Sequence, residues 1–244
     1  MKVLVLAAGY GTRLYPIIKD TAKALLEING KPLINYILDR IKGLNGLNEV
    51  IVVTNNKFYD QFITWSKTLT VPFKVTIVND QTKTPETRLG SIGDINFTLN
   101  NYPIKDDLLV VGGDNLFDYN VDEYVKFAQK NNAATIGLYD IGSLKEAKLF
   151  GVVAVDEHRK VTLFEEKPAE PKSTLIAMCF YYLPAHTLGT VAKYLQECKT
   201  ADKAGDYIKW LYKQIDVFGF KFSGTWYDIG SVEAYYEAQK KFKP

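Results

Sequence analysis

The sequence predicts an α/β domain built on a doubly wound, mostly parallel sheet with an inserted antiparallel part. Three observations predict it. Short apolar runs alternate with segments of helical spacing from Lys2 to Tyr139, the sign of a parallel sheet covered by helices. Those runs hold few polar residues, as strands buried on both faces do. After residue 150 the alternation breaks: Gly151–Val155 and Lys160–Phe164 flank the polar turn Asp156-Glu157-His158-Arg159 and read as a hairpin. A chain of 244 residues buries roughly 70–75% of its unfolded surface and needs no staples.

In order, Lys2–Ala7 reads as the first strand, apolar after its lysine and therefore central. The loop Ala8-Gly9-Tyr10-Gly11-Thr12-Arg13 follows it. Pro32 stands where helices start, and Leu33, Ile34, Ile37, Leu38, Ile41 and Leu44 recur at helical spacing. Gly43 and Gly46 end that helix. Glu49–Val53 is the second strand, Phe58–Lys67 a helix with its aromatics on one side, and Lys74–Val78 the third strand. The polar stretch Asn79–Arg88 leads into a helix over Ile92–Leu99. Asp107–Val111 is a fourth buried strand that ends in Gly112-Gly113-Asp114-Asn115. A helix over Val121–Lys130 and a strand over Ala133–Tyr139 complete the alternating part. Beyond the hairpin, closed by Glu165-Glu166-Lys167-Pro168, come a strand over Thr174–Leu183 and helices over Pro184–Cys198 and Tyr207–Gln214. A strand over Val217–Phe222, the turn Gly224–Gly230 and a helix over Val232–Phe242 finish the chain. No repeat or linker divides it, so 1–244 reads as one domain.

The net charge of +2 is too small for bulk nucleic-acid or membrane binding, so an anion site must be a local cluster. No nucleic-acid or membrane partner is expected. Cys179 and Cys198 form no CxxC pair, and two lone thiols fit a reducing compartment. The N-terminus lacks a signal-peptide pattern, and no apolar run approaches ~18 residues. The expected location is the cytoplasm.

The chemistry is concentrated at strand ends. Gly9 and Gly11 let a backbone come close to a phosphate. Arg13 adds a fork of donors and Lys23 a point charge; Lys31 follows just ahead of Pro32. Asp114 stands at the carboxyl end of a buried strand, where open α/β sheets bind ligands. Asp228 lies in a glycine-flanked turn, and Lys167 is a third cation at a strand end. Two carboxylates converging beside phosphates hold Mg²⁺. Singly, each has a plainer meaning: a tight turn at Gly9–Gly11, an Asx-turn at Asp114, a helix cap at Asp228, a solvated charge at Lys167. Their order along the chain, all at strand ends, outweighs these. His158 and His186 read as structural, and Trp226 draws interest only as a neighbour of Asp228.

The residues LAAGYGTRLYP, then Lys23, then Gly30-Lys31-Pro32 resemble the signature of the sugar-1-phosphate nucleotidylyltransferases, the thymidylyl and uridylyl enzymes in particular. GGDN at 112–115, FGVV at 150–153, FEEKP at 164–168 and WYDIG at 226–230 match that family's later motifs in the same order. The resemblance implies a Rossmann-like nucleotidyltransferase fold, with a nucleotide-binding half at 1–140 and a sugar-phosphate-binding half at 141–244. It implies Mg²⁺-dependent transfer of a nucleotidyl group from a nucleoside triphosphate to a sugar 1-phosphate, with pyrophosphate released. Arg13 and Lys23 would then be catalytic. Ala8, Gly9, Gly11, Thr12, Arg13, Arg88 and Gly90 would bind the nucleotide. Gly151 and Glu166 would contact sugar hydroxyls and Lys167 the sugar's phosphate, while Asp114 and Asp228 would hold Mg²⁺. The expected partners are the two substrates, with glucose 1-phosphate and UTP or dTTP as the default pair; self-association is left open. Physics agrees with those roles, since unit charges 4 Å apart repel by roughly 4 kcal/mol at an effective dielectric near 20. Cations must be placed before two phosphates can meet. No strong base is needed, because a phosphate monoester is largely dianionic at pH 7.

The stretch Asp80–Ser91 departs from the Gln-rich or Gly-rich loop of the thymidylyl and uridylyl members, which leaves the base open. Arg88 falls beside the expected base, where it would touch the nucleotide or else pair with Glu86. Three other readings compete. A catalytically inactive binding homologue would lack an acid or a loop cation, and Arg13, Lys23, Asp114, Lys167 and Asp228 are all present. Transfer to phosphocholine keeps the chemistry, but FGVV and FEEKP favour a sugar. A dinucleotide oxidoreductase needs a third glycine where Leu14 stands.

Overall fold

Val3, Leu4 and Val5 are fully buried because their strand, β1 (Lys2–Leu6), is covered on both faces. The structure is a computed structural model that describes residues 1–15, 17 and 19–243; Pro16, the last residue of the first motif, lies outside them. After β1 come the two-residue strands β2 (Glu27–Ile28) and β3 (Lys31–Pro32), then α1 (Leu33–Ile41), β4 (Glu49–Thr54), α2 (Tyr59–Ser66) and β5 (Lys74–Asn79). α3 (Gly90–Asn101), β6 (Leu108–Gly112), β7 (Asn115–Phe117), α4 (Asp122–Asn131) and β8 (Ala134–Asp140) follow. The chain continues with the single turn α5 (Leu144–Ala147), β9 (Gly151–Val155), β10 (Val161–Glu166) and the long β11 (Leu175–Leu183). It ends with α6 (Gly189–Cys198), α7 (Ala204–Leu211), β12 (Val217–Lys221), β13 (Trp226–Asp228) and α8 (Val232–Lys241).

β5, β4, β1 and β6 lie side by side and parallel. The antiparallel part continues the same sheet through β11. One edge of β11 runs along β8, and β8 pairs in parallel with β12. The other edge serves two partners: Ile176 and Ala177 pair with β9, Phe180 to Leu183 with β6. Nine residues make β11 long enough for both. Met178 and Cys179 sit between the two partners, where the sheet forks. β8, which the alternation placed with the parallel strands, therefore lies across β11 from them. The reason is that β6 already has β1 on its other edge.

Alternate side chains of the strands feed two cores. Val3, Val5, Val50 and Val52 pack with α1, α2 and α4, while Leu4, Ile51 and Val53 pack with α3, α6 and α7. A third cluster holds α8 against the N-terminal segment through Leu14, Ile28, Leu33, Tyr36, Ile229 and Phe242. The helix expected from Pro184 begins as a 3₁₀ turn at Ala185–Thr187 and only then becomes α6. β2, β3, β7, β13 and α5 were not expected, being too short to show a period. No helix among the described residues is long and apolar enough to cross a membrane.

Candidate active site

Parallel strand order reverses between β1 and β6: the chain builds β4 and β5 on one side of β1, then returns to place β6 on the other. Ligands bind at such reversals, outside the carboxyl ends of the strands. The backbone after β1 is pinned there. Gly113 N donates to Leu6 O at 2.9 Å, and Asn55 Nδ2 donates to Ala8 O at 2.9 Å. Gly11 then turns at φ +63°, a conformation a side chain would disfavour. A 3₁₀ turn, Thr12–Leu14, follows. Leu14 anchors it in the third core, which leaves Thr12 and Arg13 exposed.

Lys23 sits in a second 3₁₀ turn, Lys23–Leu25, whose Ala24 is buried. Its Nζ donates to Asp114 Oδ2 at 2.6 Å. Asp114 is positioned by its neighbour: Asn115 Nδ2 donates to Gly112 O at 3.0 Å, and Asn115 Oδ1 accepts from Trp226 Nε1 at 2.7 Å. β13 pairs with β7 so that Asp228 stands opposite Asn115, and Ile229 N donates to Asp114 O at 3.0 Å. Two residues 114 apart in sequence are thus brought side by side. Burial, and then the Asp114 charge, push the Asp228 carboxyl upward, against the pull of Lys23, Arg13 and Lys167. Cys179, in the fork beside them, has its thiol pushed up to about 12 by burial and by the same two carboxylates.

The antiparallel side supplies the facing wall. Gly151 opens β9 opposite Glu166, which closes β10. Burial raises the Glu166 acid, with Lys167 opposing. Lys167 itself is held at φ +48°, and its N–H donates to Phe150 O at 3.0 Å. A cavity of about 440 Å³ lies between these walls, bordered by Ala8, Gly9, Arg13, Arg88, Gly90, Asp114, Gly151, Glu166, Lys167 and Asp228 among others. A second, of about 350 Å³, adjoins it and takes Gly11, Thr12 and Lys23, sharing Gly9, Arg13 and Arg88. Every site residue expected from the sequence thus borders one or the other. Lys31 does not join them; it pairs with Asp39 and lies over the Tyr36 ring. No histidine stands among the described lining residues.

Arg88 borders both cavities, but its ion-pair partner is not the expected Glu86. Its Nε and Nη2 donate to Asp202 at 3.1 and 3.2 Å, and its Nη1 to Pro85 O at 3.1 Å. Asp202 belongs to the α6–α7 connection, too distant in sequence for any local pattern to announce. That connection also caps α3: Ser91 N donates to Asp202 O, Ile92 N to Ala201 O. The N-terminus of α3 is therefore spent on protein carbonyls. Asp94, inside α3, was missed. It is 5% exposed, lines the larger cavity and faces Asp80. The available signal was that Asp94 is the one charged residue of α3, placed between the buried Ile92 and Ile95.

The family model described as Nucleotidyl transferase matches residues 2–243. A Methanocaldococcus jannaschii protein named bifunctional protein GlmU is 27% identical over 241 residues, covering 98% of this chain and 54% of that protein. A glucose-1-phosphate adenylyltransferase of Fusobacterium nucleatum is 27% identical over 254 residues, covering 96% of this chain and 65% of that protein. The chain thus spans between half and two thirds of the length of these relatives. Among solved structures, a UDP-glucose pyrophosphorylase complexed with UDP-glucose superposes with a TM-score of 0.81 at 21% identity, covering 98% of this chain and 96% of that one. At that identity the likeness shows the fold.

Proposed function

We propose that this chain, which belongs to the nucleotidyl transferase family, transfers a nucleotidyl group from a nucleoside triphosphate to a sugar 1-phosphate. One observation carries the reading. Arg13, Lys23 and Lys167, from three separate loops, converge electrostatically on the Asp114–Asp228 pair, beside adjoining cavities of about 440 and 350 Å³. Support for a sugar phosphate comes from the named activity of the Fusobacterium relative. Support for the nucleotide comes from the strand reversal and the Gly9–Arg13 loop.

In the proposed reaction a phosphate oxygen of the sugar 1-phosphate attacks the α-phosphorus. A new P–O bond forms and the α–β bridge breaks, its electron pair leaving on pyrophosphate. The attacking oxygen is already anionic, so no side chain need remove a proton. Arg13 would fork onto the triphosphate and Lys23 would exchange Asp114 for a phosphate oxygen. Both would offset charge that builds as the anions approach. Lys167 would hold the acceptor's phosphate, and Glu166 would accept from a sugar hydroxyl.

Asp114 and Asp228 fit a Mg²⁺ ion. Burial, and then the neighbouring Asp114 carboxylate, raise Asp228, a cost that a bound cation would offset. Two acids are what a cation needs when phosphate oxygens and water complete its shell. Among the described residues no group of three or more His, Cys, Asp or Glu forms an all-protein cage. Such an ion would neutralise phosphate charge. The test is a grid of five nucleoside triphosphates against several sugar 1-phosphates and phosphocholine, with Mg²⁺, scored by pyrophosphate release. Turnover with a sugar 1-phosphate is expected; none with any sugar would overturn the reading.

A further inference from the structure

We propose that Gly205 is a positioning residue for the acceptor site: because it has no side chain, the Glu166 carboxylate can lie against α7, where it sets which sugar hydroxyls the site takes. The inference rests on the nucleotidyl-transfer reading and adds to it a residue that no motif announced. Gly205 is the second residue of α7, and it borders the larger cavity together with Glu166. A Cβ built on Gly205 would fall 1.9 Å from Glu166 Oε2 and 2.6 Å from Glu166 Cδ. A Cβ on Gly151 would also approach that oxygen, to 3.3 Å. The carboxylate thus occupies a niche that two glycines leave open, one at the start of β9 and one in α7.

The backbone does not call for glycine at 205. Gly205 is not among the glycines of positive φ, and it lies inside a helix, where glycine is the least favourable residue after proline. What glycine supplies there is space. α7 is held in place, since Tyr207, Ile208 and Leu211 are fully buried and share a core with Phe164 of β10, two residues before Glu166. The Glu166 carboxylate, by contrast, is the tip of a flexible side chain. A methyl group at 205 would therefore displace the carboxylate and leave the helix where it is. In its niche the Glu166 acid is raised, by burial first; Lys167, Lys203 and Lys209 oppose the rise and Asp206 adds to it. When ionised it accepts hydrogen bonds at two oxygens, which suits neighbouring hydroxyl groups of a sugar ring. Moving those oxygens by the width of a methyl group would break that match.

Gly205→Ala tests this. The KM of the sugar 1-phosphate that wild type uses best should rise roughly tenfold, the loss of one or two hydrogen bonds, with the triphosphate KM kept within about twofold. The melting temperature should hold or rise, because alanine favours a helix and only a side-chain tip is displaced. In a Glu166→Ala background the same methyl group should leave the acceptor KM unchanged, since the group it displaces is gone. An unchanged acceptor KM in Gly205→Ala alone would overturn the assignment. So would an equal rise in both KM values, or a further rise in the Glu166→Ala background. Carbon-13 titration of the Glu166 carboxyl needs no substrate. Gly205→Ala should bring that titration down toward the ordinary value of 4.5, and an unmoved titration would overturn the contact. Wild type that turns over no sugar 1-phosphate sinks the transfer reading and the acceptor role with it, while the titration still judges whether Gly205 seats Glu166.

Discussion

Arg13 and Asp94 show opposite ways for one residue to matter. Arg13 is exposed and unburdened by packing, so its removal should leave stability alone and act on chemistry. Arg13→Ala is expected to lower kcat by roughly 10²–10³, the range seen when one preorganised donor is lost, with the melting temperature unchanged within error. Steady-state pyrophosphate release and a thermal melt would check both halves. Asp94 acts on stability through its proton. The folded state keeps that proton up to about pH 8, whereas the unfolded acid, at 3.8, loses it earlier. Between these values the folded state binds more protons than the unfolded one, so stability falls as pH rises. Asp94→Asn removes this penalty. Its melting temperature should exceed that of wild type most at pH 9, with the gap closing toward pH 4; a gap independent of pH would refute the assignment of the proton.

Two elements carry backbone geometry that their sequences alone do not suggest. α3 opens on Gly90 at φ +78°, and a Cβ there would fall 2.4 Å from the Cα of Asp202. Gly90→Ala therefore meets both a left-handed backbone and the α6–α7 connection. A cost of roughly 1–3 kcal/mol is expected, seen as a fall of at least about 2 °C in melting temperature for a chain of this size. The end of β10 behaves differently. Lys167 holds a left-handed conformation with a full side chain, which glycine would adopt freely. Lys167→Gly should keep or slightly raise the melting temperature while raising the KM of the sugar 1-phosphate. A variant that lost stability without a change in that KM would remove Lys167 from the acceptor site.

At the scale of the molecule, the cleft is where the sheet forks along β11, and each wall belongs to a different partner of that strand. A substrate that touches the β1 loop, the Asp114–Asp228 pair and the β10 end joins segments from across the chain. Ligand binding should therefore stabilise the whole fold. At a triphosphate concentration of 100 times Kd the gain is about 2.7 kcal/mol, or roughly 5–11 °C in melting temperature. The shift should shrink when EDTA is added, if Asp114 and Asp228 hold Mg²⁺ against the phosphates. Differential scanning fluorimetry with and without chelator reads both.

The sequence by itself determined the parallel strands, most helices and the list of charged residues that meet in the cleft. Strand and helix patterning is local: it locates the strand ends that carry Asp114 and Lys167, while Arg13, Lys23 and Asp228 were legible from their motifs. Only the tertiary structure decided how they meet. The pairing of β13 with β7 brings Asp228 to Asp114, and the double partnership of β11 opens the fork; neither follows from periodicity, because both join segments far apart in the chain. Arg88 was visible as a charge, but its partner Asp202 lies 114 residues away. Asp94 was legible only as an acid on an apolar helix face. Its meaning came from Asp80 beside it, since burial and a neighbouring charge are properties of the fold and not of the residue.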